Sequence, residues 1–186
     1  MATCEEKMSP FLRSIIPNTV TITRGLLGPT ICAIILYTDH TWFAFWLFIT
    51  AILTDLVDGM LARMLNATSK LGTFLDALAD KFLTDPIWAV MWYLGWVPWW
   101  LAAPMLLRDF AIAILWYVDA RHDQQAKPTL MGQLMVSFEG ISLGVLLVRT
   151  PFCDVHWPTV GVAIGLISLG FAIASSFEYA QNRRQH

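Results

Sequence analysis

Residues 55–80 read DLVDGMLARMLNATSKLGTFLDALAD, and this stretch decides how the rest of the chain is arranged. It places four aspartates, Asp55, Asp58, Asp76 and Asp80, inside sequence that is otherwise apolar. A carboxylate within a membrane-spanning helix costs roughly 2.5–3.5 kcal/mol on insertion scales, so it needs a compensating partner or a function. Each residue of an α-helix advances by about 100°. Asp55, Asp58, Gly59, Ala62 and Arg63 then share one face of one helix, and Gly72, Asp76 and Asp80 follow an i, i+4, i+8 course on the next. The loop between them is short, which predicts antiparallel neighbours with facing acidic sides. Carboxylates brought together in this way repel unless cations lie between them. Oxygen ligands of this kind suit Mg2+ or Mn2+ with phosphate oxygens as further ligands. Two such cations form a clamp for displacement at phosphorus. Gly59 and Gly72 leave room for a base or a pyrophosphate, and Arg63 offers a planar, permanently charged donor fork. Pairing with Arg63, Lys70 and Lys81 would explain Asp55 or Lys81 alone, but not the set.

Composition sets the surroundings. Of 186 residues, 56% are hydrophobic and 14% charged, against about a quarter charged in soluble domains. That leaves too little polar surface to coat a water-soluble globule. The expectation is an all-α integral membrane protein, one domain over 1–186, built as a bundle of six transmembrane helices at ~20 residues each. A net charge of −2, with no basic stripe, argues against a nucleic-acid partner. Cys4, Cys32 and Cys153 lack metal-ligand spacing, and Cys32 reads as a small buried hydrophobe. The N-terminus does not have the pattern of a cleaved signal peptide.

Apolar windows place the six helices at roughly 17–38, 41–65, 71–95, 98–120, 129–150 and 157–180. Ahead of them, EEKMSPFLRSII (5–16) fits an N-terminal interfacial helix or a frayed tail. Lys7, Arg13, Lys70, Arg121, Lys127, Arg183 and Arg184 fall at the termini and in the second and fourth loops, whereas the opposite loops hold only Arg149. The positive-inside rule then puts both termini and the aspartates on the cytoplasmic side. WVPWW (96–100) reads as an aromatic anchor at the far interface.

The stretch from Asp55 to Asp80 resembles the signature of the CDP-alcohol phosphotransferase family, D-x-x-D-G-x-x-A-R, eight residues, then G-x-x-x-D-x-x-x-D. Every fixed position and the spacer are matched. The resemblance implies transfer of a phosphatidyl-type group from a CDP-linked donor to an alcohol, with CMP leaving. It implies that Asp55, Asp58 and Asp76 are metal ligands, and that Asp80 is the general base at the acceptor hydroxyl and also touches a metal. Gly59, Ala62, Arg63 and Gly72 would shape the CDP pocket, with Arg63 on the diphosphate. NTVTITR (18–24) resembles the N-x-x-T-x-x-R element of phosphatidylglycerophosphate and cardiolipin synthases, matched by Asn18, Thr21 and Arg24. Asn18 and Thr19 also fit a plain helix cap. A homodimer is usual in the family.

Arg108 and Asp109 interrupt the fourth apolar run and either neutralise each other or, as the resemblance implies, hold the acceptor's phosphate, with Asp109 orienting Arg108. Gln133 and Met135 stand where related synthases show lysines, leaving Lys127 and Arg121 as loop cations. Gly140 and Gly144 read as a helix-packing pair. Glu139 and Asp85 read as acids hydrogen-bonded inside the bundle, and the four histidines as loop or terminal residues outside any metal site. The expected activity is a membrane phospholipid synthase, bound to two divalent cations among membrane lipids. It would take CDP-diacylglycerol as donor and sn-glycerol 3-phosphate as acceptor. Phosphatidylglycerol as acceptor, giving cardiolipin, is the first alternative. A divalent-cation transporter lined by acids is an alternative of another class.

Overall fold

A computed structural model describes residues 25–38, 40–64, 70–121, 129–149 and 156–184, without the side chains of 57–64, 70–77, 116, 117, 119–121 and 182–184. Six helices account for nearly all of it: α1 (Gly25–Tyr37), α2 (Thr41–Met64), α3 (Lys70–Tyr93), α4 (Trp99–Arg121), α5 (Leu130–Leu147) and α6 (Trp157–Arg184). The expected windows are met closely, except that α6 runs four residues further. The segment 5–16 and the start of the first window lie outside the described residues.

Local chemistry marks the ends. Thr129 caps α5 with extended backbone, its hydroxyl accepting from the Gly132 N–H at 3.1 Å. The Pro98 carbonyl takes the first N–H groups of α4, from Leu101 and Ala102. The turn after α3 passes through Gly95 at φ +70°, a conformation that favours a residue without Cβ. Trp96 in that turn lies under the Arg149 guanidinium, 4.2 Å from ring centre to Cζ. The solitary cation of the opposite loops is thereby engaged by a cation–π contact. Trp99 and Trp100 just beyond are exposed, as an interface anchor should be.

Packing is governed by small residues. On α6, Gly161, Gly165, Ser168, Ala172 and Ser175 form one buried edge against α5 and α4. Ser142 donates to the Gly161 carbonyl at 2.8 Å and Ser168 to the Met135 carbonyl at 2.9 Å, two cross-helix bonds from α5 to α6. The far side of α5 turns Gly140 and Gly144 towards Ile52 and Phe48 of α2, the packing role expected of that pair. Trp88, Ile87 and Met91 of α3 meet Leu101 and Met105 of α4 and Leu143 of α5 in the core. Leu107, Phe110 and Phe177 point outwards, as do large apolar side chains on every other helix. An exterior of this kind is unsuited to water and suited to lipid. Among the described residues, α5 and Trp157–Gln181 of α6 are long and apolar enough to cross a membrane. Charged residues within α2, α3 and α4 shorten their apolar stretches.

α1 approaches α3 closely at Gly28. Pro86 lies inside α3 and has no N–H to offer the Phe82 carbonyl four residues back. Gly28 packs against that same carbonyl, and a Cβ there would collide with it and sit 2.9 Å from Leu83 Cα. Gly28→Ala should therefore destabilise the protein by about 1–3 kcal/mol, the usual cost of overpacking against backbone. Gly170→Ala on α6, where nothing lies within 4 Å, should be neutral or stabilising. Thermal unfolding of both variants in detergent measures the difference in sign.

Candidate active site

The signature residues occupy the C-terminal part of α2 and the N-terminal half of α3, which are helical throughout the described parts of 55–80. The registers Asp55–Asp58–Gly59–Ala62–Arg63 and Gly72–Asp76–Asp80 are therefore those of continuous helix, as the spacing requires. Asp55 and Asp80 are half-buried, and Thr84 donates to the Asp80 backbone carbonyl at 3.1 Å. The side chains of Asp58, Ala62, Arg63 and Asp76 lie outside the described residues, and so do the surroundings of Gly59 and Gly72. Asn18, Thr21 and Arg24 also lie outside them, together with Lys127. The four signature aspartates offer carboxylate oxygens, which suit Mg2+ or Mn2+.

One turn deeper the bundle holds a polar cluster. Asp109 of α4 is 1% exposed, and its Oδ2 meets Lys81 Nζ of α3. Its Oδ1 accepts from Arg108 Nη1 at 2.8 Å. Arg108 reaches on to α6, where Nη2 donates to Ser175 Oγ at 2.8 Å. Ser175 Oγ in turn donates a hydrogen bond to the Ala172 carbonyl at 3.0 Å. Glu139 of α5 is buried and accepts from Trp88 Nε1 at 2.9 Å. Asp85, Asp109 and Glu139 each present an oxygen within 4.8 Å of the others. That spacing is compatible with a metal ion, although both Asp109 oxygens already face cations of the protein itself. Leaving any of these charges unpaired at such burial would cost several kcal/mol.

Several expectations are settled here. Arg108 and Asp109 do bond to one another, and Glu139 is held by a bundle-facing hydrogen bond. Asp85 borders the same cluster, with its Oδ1 buried and without a hydrogen-bond donor among the described residues. Lys81, weighed in the sequence as a partner of the signature aspartates and set aside there, is ion-paired to Asp109. It sits one residue, about 100°, round the helix from Asp80 and so turns to α4. The sequence signalled only that a charge in an apolar helix needs a partner, not which partner it takes. Met135 is fully buried in the core and Gln133 is exposed. His40 and His156 are exposed, and His156 Nδ1 lies 2.8 Å from Thr159 Oγ1 at the start of α6.

Arg108 is also the charged residue on the wall of a cavity between α4 and α6. The cavity has a volume of about 490 Å3 and is lined further by Ala111, Ile112, Leu115, Ser176, Tyr179 and Ala180. The Arg108 side chain keeps 16% of its surface exposed, and its Nε is buried without an acceptor among the described residues. Such a cavity offers a phosphate-bearing or otherwise anionic molecule one fixed charge, two hydroxyl-bearing side chains and an apolar wall.

Comparison with known proteins agrees with the signature. The chain aligns with the CDP-diacylglycerol--glycerol-3-phosphate 3-phosphatidyltransferase of Bacillus subtilis (strain 168), 32% identical over 72% of this chain and 69% of the relative. The protein of that same name from Shigella flexneri serotype 5b is 28% identical over 91% and 94%. A Drosophila melanogaster protein named "Probable cardiolipin synthase (CMP-forming)" is 33% identical over 85% of this chain and 56% of its own length. The family model for CDP-alcohol phosphatidyltransferases matches residues 14–174. With that match covering both signature helices and Arg108, the chain belongs to the CDP-alcohol phosphatidyltransferase family, the enzymes that build phospholipids in membranes.

Proposed function

We propose that the chain forms a single membrane domain of six spans and transfers a phosphatidyl group from CDP-diacylglycerol to sn-glycerol 3-phosphate, releasing CMP. The observation that carries the acceptor is Arg108, a guanidinium tied at both ends to Asp109 and Ser175 on the wall of the α4–α6 cavity. A fixed fork of this kind recognises a phosphate dianion better than a neutral alcohol. Two relatives named as glycerol-3-phosphate phosphatidyltransferases support the same choice. Membership of an enzyme family stands against the transporter reading.

In this reading the donor's diphosphate lies against Arg63, with the nucleotide beside Gly59, Ala62 and Gly72 and near Asn18, Thr21 and Arg24. The Asp80 carboxylate takes the proton of the acceptor hydroxyl. The acceptor oxygen then bonds to the phosphorus that carries the diacylglycerol oxygen, and the bond from that phosphorus to CMP breaks. Two divalent cations, held by Asp55, Asp58, Asp76 and Asp80, would supply charge stabilisation for the attacking and leaving oxygens. Positioning by the helices provides the remainder, as is general for phosphoryl transfer. The excess of basic residues at the termini and at the second and fourth loops orients the site to the cytoplasm, and a homodimer is the assembly we expect.

Phosphatidylglycerol is the second acceptor to consider. The neutral residues at positions 133 and 135 and the Drosophila relative favour it. The deciding experiment supplies purified protein with CDP-diacylglycerol, Mg2+ or Mn2+, and each alcohol in turn, and measures CMP. Phosphatidylglycerol phosphate formed from glycerol 3-phosphate is expected. Cardiolipin formed from phosphatidylglycerol, with glycerol 3-phosphate inert, would transfer the assignment. Metal-dependent CMP release with neither acceptor would refute both.

A further inference from the structure

The ion pair between Lys81 and Asp109 takes no part in the chemistry above, yet it joins the two elements that chemistry must align. Lys81 directly follows Asp80 on α3, and Asp109 directly follows Arg108 on α4. One buried carboxylate therefore receives the ammonium from the helix of the proposed base on one oxygen and the guanidinium of the proposed acceptor anchor on the other. Beyond this pair and the neighbouring Asp85, α3 and α4 share an apolar core that includes Ile87, Trp88, Leu101 and Met105. Apolar contacts do little to fix how far one helix slides along another in lipid, because lipid tails compete for the same surfaces. A desolvated, hydrogen-bonded ion pair is directional and has one register.

We propose that Lys81 and Asp109 are positioning residues that fix the axial register of α3 against α4, so that an acceptor anchored at Arg108 presents its hydroxyl to Asp80. The proposal rests on the reading of Asp80 and Arg108 given above. A slip of one residue along a helix displaces a side chain by about 1.5 Å. Misplacement by ~1 Å of reacting groups is enough to lower a rate by about 100-fold. Asp85 and Glu139 border the pair, each with an oxygen within 4.8 Å of an Asp109 oxygen.

The test compares Lys81→Met, which keeps the length of the side chain and removes its charge, with Lys81→Arg. Turnover is measured against each substrate in turn, together with thermal unfolding. A second readout is the distance between spin labels at positions 93 and 110, both exposed, on α3 and α4 in a background lacking Cys4, Cys32 and Cys153. Lys81→Met is expected to lower kcat by about 100-fold with both KM values nearly unchanged, and to shift or broaden the label distance. Lys81→Arg should recover most of the rate and the narrow distance. Wild-type kcat in Lys81→Met, or an unchanged label distance, would overturn the proposal. So would a parallel fall in donor affinity, acceptor affinity and melting temperature, which marks a general loss of structure. If the wild-type protein uses neither acceptor, the functional reading fails by itself, and the label distance still decides whether the pair sets the register.

Discussion

Asp58→Asn or Asp76→Asn is expected to abolish CMP release while leaving the protein folded in detergent. Both residues are proposed ligands of the same pair of cations, and asparagine keeps their shape while removing the charge that holds the metal. Losing a single stabilising group at a developing charge already costs on the order of 10²–10³-fold in kcat. Losing a shared ligand should cost at least that. Without metal, the four aspartates repel: two like charges 4 Å apart oppose each other by about 4 kcal/mol at an effective dielectric of 20. The variants should accordingly melt no earlier than the metal-free parent. The measurements are CMP release against Mg2+ and Mn2+ concentration, metal binding by calorimetry and a thermal melt. Normal Mg2+-dependent turnover in either variant would remove the two-cation proposal.

Arg108→Ala is expected to act on the acceptor and to spare the donor. Truncating one partner of a desolvated charge pair commonly costs about 2–5 kcal/mol, which corresponds to roughly 30-fold to several-thousand-fold in acceptor KM or in turnover. The donor KM should change little, because the proposed nucleotide contacts lie on α2 and α3. Asp109 keeps Lys81 as a partner in this variant, so the cluster is not left without a cation. Ser175→Ala provides the control for the fork's second arm and should cost much less, since it removes a neutral acceptor of one hydrogen bond. Steady-state kinetics with each substrate varied in turn separate the cases. Equal weakening towards donor and acceptor would make Arg108 a structural residue.

The signature lies on α2 and α3, whereas the proposed acceptor site is the cavity between α4 and α6. In this proposal, a change confined to Arg108, Ser176 or Tyr179 should alter which alcohol fits without touching the signature.

Whatever depends on residues close in sequence was determined by the sequence itself. Helix limits follow from apolar runs ended by proline, glycine and charge, and α2 begins where its window does and stops one residue short. The signature is equally local, since its spacing of three and four residues places its members on one helical face by geometry alone. Partner choice is another matter. Lys81 finds Asp109, Trp88 finds Glu139 fifty-one residues away, and Arg108 finds Ser175 sixty-seven away. Helices that are apolar on every side carry no polar face to announce which way they turn. Their rotation is fixed instead by where small residues permit close approach, at Gly28 against α3, Gly144 against α2 and Gly161 against α5. Those contacts exist only once the helices are assembled, so the tertiary structure alone decides which buried charges meet.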